Sequence, residues 1–207
     1  MRKNKRGLSL FMGALMVFST LAFVFTGSLF EDDVPTDGQD EPIFVSNWNG
    51  MDIFVLDTPI GPIYSLDIGG GYLQFRVNPQ EAVANINVEG QVLIYNKLMT
   101  SSKVYLLFEE SENDEINPAV LELTRFLRGR PFVLETGITA PYQGNESSDI
   151  PYYNPWNVSG GESAIYVKFS GKNQVDIWNN TITVTGNDLH NVTLGITKLG
   201  LIMYRLI

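Results

Sequence analysis

The sequence predicts an α/β or α+β domain built on a mixed β-sheet and preceded by a single N-terminal transmembrane helix. Three observations carry this expectation. KVYLLFEE at Lys103–Glu110 is an apolar run of strand length, followed by a helix-forming segment and a second strand-like run, FVLETGI. Strand, helix and strand with short joins make a βαβ unit, with parallel strands and a right-handed crossover. Near the C-terminus, Leu189, Val192, Ile196, Leu199, Met203 and Leu206 recur at steps of three and four. They define one face of a helix that should cover the sheet. The third observation is the uncharged stretch Gly7–Phe30.

Arg2, Lys3, Lys5 and Arg6 precede those twenty-four uncharged residues, and Glu31, Asp32 and Asp33 follow them. A cleavable signal needs an apolar region of only about 7–15 residues, whereas about 20 span a bilayer. The length therefore favours a retained signal anchor at 7–30 over cleavage at Thr26-Gly27-Ser28. Positive charge on the cytoplasmic side leaves 1–6 as a cytoplasmic tail and the rest of the chain extracytoplasmic. Arg6-Gly7-Leu8 also resembles the processing site of archaeal pilin-like precursors, cut after Gly7. Met12 stands where many such subunits carry glutamate.

Charge and composition narrow the function classes. Beyond the apolar stretch the chain holds ten basic and twenty-three acidic residues, a net charge of −13. A surface of that sign repels phosphate backbones, so no nucleic-acid partner is expected. Cysteine is absent, which removes disulfides, thiol catalysis and cysteine-based metal sites. His190 is the single histidine, so a two-histidine zinc motif is impossible. No cofactor motif is present.

Residues 31–42 are acidic and proline-punctuated and read as a solvated linker. The globular domain then runs over 43–207, long enough for one core and short for two. Ile43–Val45 and Met51–Leu56 flank the turn SNWNG as a hairpin, and Ile63–Val77 forms a second hairpin turning at Gly69-Gly70-Gly71. The triple glycine is no phosphate loop, because strand-like residues follow where a helix N-terminus is needed. Asn78 and Pro79 then supply the cap and first position of a short helix.

After the strand at Lys103–Glu110, Asn117 and Pro118 start a helix, with Ile116 and Leu121 at the spacing of a hydrophobic staple. Val120, Leu123, Phe126 and Leu127 mark its buried face. Arg125, Arg128 and Arg130 suit its C-terminal end, and Gly129-Arg130-Pro131 stops it. AIYVKFSG and QVDIWNNTITVTG read as a strand pair turning near Gly171-Lys172-Asn173. Lys198 and Arg205 in the C-terminal helix argue against a second membrane span. His190, in its first turn, reads as a surface or capping residue.

Two sets of candidate site residues emerge. Ligands in parallel sheets favour the carboxyl ends of the strands, which directs attention to Glu109, Glu110 and Glu135. These carboxylates are either solvated surface or a hard-cation or acid–base site. The second set lies in the long turn-rich segment Ala140–Ser163, where Tyr142, Tyr152, Tyr153 and Trp156 offer flat apolar faces with polar edges. They suit a sugar or a protein partner, unless they serve to fasten the segment to the domain. Four sequons, at Asn145, Asn157, Asn179 and Asn191, are glycosylation candidates on an exported chain, with Asn191 set in a helical context.

GGGYLQFRVNPQEAVANI, KVYLLF, NPAVLELTRFL and DLHNVTLGITKLGLIMYRLI, taken in order, resemble a group of uncharacterised archaeal proteins with one N-terminal membrane segment. The resemblance covers most of Gly50–Ile207 through spacing and apolar pattern. It implies a membrane-anchored extracytoplasmic α/β domain and no established activity. Relatives in that group often carry cysteines in the later half; this chain has none, so no disulfide or metal role carries over. The resulting expectation is a single-pass cell-membrane protein with a non-enzymatic binding or envelope-assembly role. Its partners would be the membrane and another envelope protein or glycan. The alternative is an extracytoplasmic enzyme acting through carboxylates.

Overall fold

The chain is described here by a computed structural model covering residues 41–109, 113–128, 130–139 and 151–207. The expected tail, anchor and most of the linker, together with Glu110, Tyr142 and Asn145, lie outside the described residues.

Strands β1 (Ile43–Trp48), β2 (Met51–Leu56), β3 (Ile63–Asp67) and β4 (Tyr72–Phe75) form an antiparallel meander in that order. Its first turn is tighter than SNWNG suggests. Trp48 pairs with Met51, leaving Asn49-Gly50 as a two-residue loop with φ of 51° and 81°. That is the left-handed pair a type I′ hairpin demands. The glycine turn forms as expected, with the Gly69 N–H donating to the Asp67 carboxylate at 2.8 Å. Ile53, Leu66 and Leu73 align across β2, β3 and β4 and are buried with Phe75, which gives the meander one core-facing side.

Helix α1 (Pro79–Asn85) starts as its sequence dictates, with the Asn78 side chain accepting the Gln80 N–H at 2.9 Å. After β5 (Asn87–Val88) comes α2 (Gln91–Thr100), entered through Gly90 at φ 75°. The βαβ unit is β6 (Lys103–Phe108), α3 (Asn113–Leu127) and β7 (Val133–Ile138), with β6 and β7 parallel neighbours. Here α3 starts earlier than expected, at Asn113, and Pro118 lies inside it. Asp114 and Glu115 extend the helix backwards because the positive end of its dipole favours acidic residues in the first turn. The staple does not form either: Ile116 is buried while Leu121 is 60% exposed. Val120, Leu123, Phe126 and Leu127 are buried as the periodicity predicts.

The second half departs from the expected strand pair. QVDIWNNTITVTG is itself a hairpin, β9 (Gln174–Trp178) and β10 (Thr181–Gly186), turning at Asn179-Asn180 with Asn179 at φ 54°. Strand β8 (Glu162–Phe169) pairs with β10 in parallel, so no antiparallel β8–β9 pair turns at Gly171-Lys172-Asn173. The six strands run β5-β9-β10-β8-β6-β7. All six β10 residues are buried, which explains why this strand of alternating threonine and aliphatic residues takes an inner place.

Helix α4 (Leu189–Met203) covers the sheet, but not with one face alone. Every residue from Val192 to Met203 is buried, because α1, α2 and α3 enclose the sides that the sheet leaves open. Lys198 survives inside by donating to the Val83 and Ile86 carbonyls, at 2.8 and 3.1 Å, at the C-terminal end of α1. Leu206 lies beyond the helix, in a Schellman cap: Arg205 takes φ 56°, its N–H meets the Ile202 carbonyl and that of Leu206 meets Leu201. The domain is thus an α/β mixed-sheet fold with a C-terminal helix on the sheet. Among the described residues no helix is long and apolar enough to cross a membrane.

Candidate functional site

Side chains alternate across the six-stranded sheet, so Val104, Leu106, Ile165, Val167, Ile182 and Val184 join the core under the helices. Their neighbours face the other way. Lys103, Tyr105 and Leu107 of β6, Glu135 and Gly137 of β7, Ala164 and Tyr166 of β8, and Asp176 and Trp178 of β9 share this second face by register.

The segment after Pro151 folds onto it. Tyr152 bridges to Ile138, the Tyr153 N–H donates to the Ile138 carbonyl at 2.9 Å, and the Tyr153 ring rests on Gly137. A Cβ at residue 137 would come within 2.3 Å of that ring, so glycine is what admits it. Tyr153 meets the Tyr105 ring at 4.7 Å, and its hydroxyl donates to Glu135 at 2.9 Å. Glu135 also pairs with Lys103 at 2.8 Å. The Lys103 contact first, then the tyrosine hydrogen bond, holds the Glu135 carboxyl below its ordinary range. Tyr153 is therefore a fastening residue.

Tyr152 and Trp156 differ from it. Both are exposed, and Trp156 lies edge-on to Tyr166 at 6.2 Å and to Trp178 at 5.5 Å. Trp178 was not among the expected site residues, since only tertiary structure brings β9 beside the segment carrying Trp156. With 48% and 58% of their surfaces accessible, the two indoles border a hollow of about 560 Å³ completed by Asp176. The Asp176 carboxylate accepts a hydrogen bond from Gln174 at 2.5 Å. A second hollow, about 370 Å³, lies between Tyr105, Tyr152, Asn157 and Glu162.

The described carboxylates of the other candidate set do not converge. Glu109 accepts from the Tyr166 hydroxyl at 2.5 Å, while Glu135 serves Tyr153 and Lys103. Glu135 is level with Tyr105 on the adjoining strand, four residues before Glu109, a separation of roughly 13 Å at the strand rise. Among the described residues no group of three histidine, aspartate or glutamate side chains gathers to hold a metal ion.

Of the described sequons, Asn157 and Asn179 are exposed beside the tryptophan pair. Asn191 is engaged instead in the start of α4: its amide donates to Asn187 and Asp188 at 2.7 and 2.9 Å and its carbonyl accepts from Asn173 at 2.9 Å. His190 ties α4 to α1 through Glu81 at 2.9 Å, in keeping with a surface role. No protein-family model, curated protein or solved structure matches the chain.

Proposed function

We propose that the chain is a non-enzymatic surface protein, anchored in the cell membrane by 7–30, whose extracytoplasmic domain binds an envelope glycan across Trp156 and Trp178. The observation that carries this reading is the exposed indole pair, which lines one hollow together with Asp176. Flat indole faces stack on the C–H faces of pyranose rings, and a carboxylate accepts from sugar hydroxyls. Glycans on Asn157 and Asn179 would flank this surface. Glu109 and Glu135 are each engaged by a different tyrosine, Tyr166 and Tyr153, with backbone positions roughly 13 Å apart along the sheet, which supports a binding role over a paired-carboxylate one.

Titrating the full chain with envelope-derived oligosaccharides tests the binding surface through tryptophan fluorescence. Trp156→Ala and Trp178→Ala should each weaken binding by about 2 kcal/mol, roughly thirtyfold, as expected of central aromatic anchors. Phe44→Ala, an exposed ring on the meander, should leave affinity unchanged. Equal losses in all three variants would remove the surface from consideration.

Anchoring is tested by the intact mass of membrane-extracted protein. The chain should retain Gly7–Phe30. A start near Leu29 would make it a secreted protein, and a start at Leu8 would favour a pilin-like subunit.

A further inference from the structure

The meander carries an apolar surface on the side away from the core. Register sets Phe44 opposite Phe54 and Leu56 opposite Ile63, on the face that alternates with buried Ile53, Leu66 and Leu73. Tyr72, opposite Asp67, falls on the same side. The Phe54 ring meets Phe44 at 6.0 Å and Tyr72 at 6.2 Å, both edge-on, so a row of aromatic rings crosses the sheet. Phe44 and Tyr72 are 55% and 63% exposed. Among the described residues, Phe44, Phe54, Leu56, Ile63 and Tyr72 all stand apart from the buried core. An antiparallel sheet with one face in water ordinarily makes that face polar. A contiguous apolar face there marks an interaction surface.

We propose that this face docks on the lipid surface in which 7–30 is anchored, with Phe44, Phe54 and Tyr72 at the level of the headgroups. The inference rests on the anchor of the proposed function and adds a docking face to it. The meander comprises the first elements after the apolar stretch. Residues 31–42, which separate Phe30 from Ile43, reach at most about 40 Å when fully extended, so an anchored chain holds the meander within that distance of the bilayer. The chemistry of the face is that of an interface, where aromatic rings settle beside headgroups and aliphatic side chains reach the acyl boundary.

Charge selects the lipid. From Ile43 to Phe75 the chain has no lysine or arginine but includes Asp52, Asp57 and Asp67. Asp52 and Asp67 lie on the aromatic face by register. Anionic headgroups are repelled, and a second copy packed face to face would bring the same aspartates together. Uncharged or zwitterionic headgroups meet neither penalty.

The chain has no cysteine, so Ser65→Cys, opposite Phe54 on this face, gives a single position for a nitroxide label. The labelled full chain is reconstituted into phosphatidylcholine vesicles, and the label's accessibility to an aqueous nickel chelate is read by electron spin resonance. Accessibility should rise about threefold or more in the labelled Phe44→Thr/Tyr72→Thr variant, which changes exposed side chains only and keeps strand propensity, with circular dichroism unchanged. It should also rise, with both rings in place, when about a third of the lipid is replaced by anionic phosphatidylglycerol, a comparison that leaves the fold untouched. Absence of either rise in a chain that stays with the vesicles overturns the docking and leaves the anchor intact. Release of the chain from the vesicles by alkaline carbonate removes the anchor and the docking together. Spin–spin broadening that grows with the protein-to-lipid ratio would place a second copy on the face and overturn the proposal likewise.

Discussion

Replacing Phe126 by alanine should destabilise the folded domain by about 3–5 kcal/mol, the range for removing a large aromatic ring from a core. Phe126 is 4% exposed and sits where three elements meet. Its ring lies 5.4 Å from that of Phe75 on β4, and Gly200 of α4 passes so closely that a Cβ there would stand 3.2 Å from the ring. A meander strand and two helices therefore border the space an alanine would leave. None of them can collapse into it without carrying its neighbours along, so the cavity term adds to the lost transfer energy. For a domain of this size the melting temperature should fall by roughly 10 °C. Thermal denaturation followed by circular dichroism checks it, with Leu121→Ala on the exposed side of α3 as the control, expected within about 0.5 kcal/mol of the parent. A fall of less than about 1 kcal/mol for Phe126→Ala would mean that the meander and α3 do not share a core.

That ring also shows how far the sequence could be read. Its place on the buried side of α3 follows from a local period, as do the βαβ unit, both meander hairpins, the Asn78 cap and the existence of α4. Each is built from segments whose pattern is local, the βαβ unit from three of them in succession with short joins. What could not be read depends on contacts between distant residues. Nothing local says that β10 inserts between β8 and β9, because that order is decided by which strand buries most. Helix α2 carries a poor pattern, with Ile94 and Leu98 buried but Val92 and Leu93 exposed, and it begins on a left-handed glycine.

The candidate sites divide in the same way. Exposed Tyr152 and Trp156 were visible as aromatics in a turn-rich segment, yet Trp178 joins them only through the sheet. The same holds for a residue outside those sites: Glu122 reads as an ordinary polar position on α3 until the meander covers it and the Arg76 N–H occupies one of its oxygens. Buried polar groups of this kind have no signature in a single sequence, since the chain that buries them arrives from dozens of residues away.

Gly186→Ala should cost about 3 kcal/mol, at the upper end of what overpacking does, although it adds one methyl group. Gly186 ends β10 as the chain turns toward α4, and a Cβ there would lie 2.4 Å from the Val192 nitrogen and 2.6 Å from the Asn191 carbonyl carbon. Both are backbone atoms of the first turns of α4. Relief requires the helix to withdraw from the sheet, and that helix carries twelve consecutive buried residues. The contrast with Gly195 separates this mechanism from simple crowding. A Cβ at Gly195 would meet Val184 Cγ1 at 2.7 Å, a side-chain atom that can be removed. Gly195→Ala should therefore be partly rescued by Val184→Ala, giving a measurable coupling in a double-mutant cycle. Gly186→Ala should show no comparable rescue by trimming Val192, because the obstruction is its nitrogen and not its side chain. Gly171→Ala, where a Cβ meets open space, should change stability by less than about 0.5 kcal/mol. Chemical denaturation of the three glycine variants, the two valine variants and their double mutants would check the order, and a Gly186→Ala cost below that of Gly195→Ala would show that α4 starts farther from β10 than the fold requires.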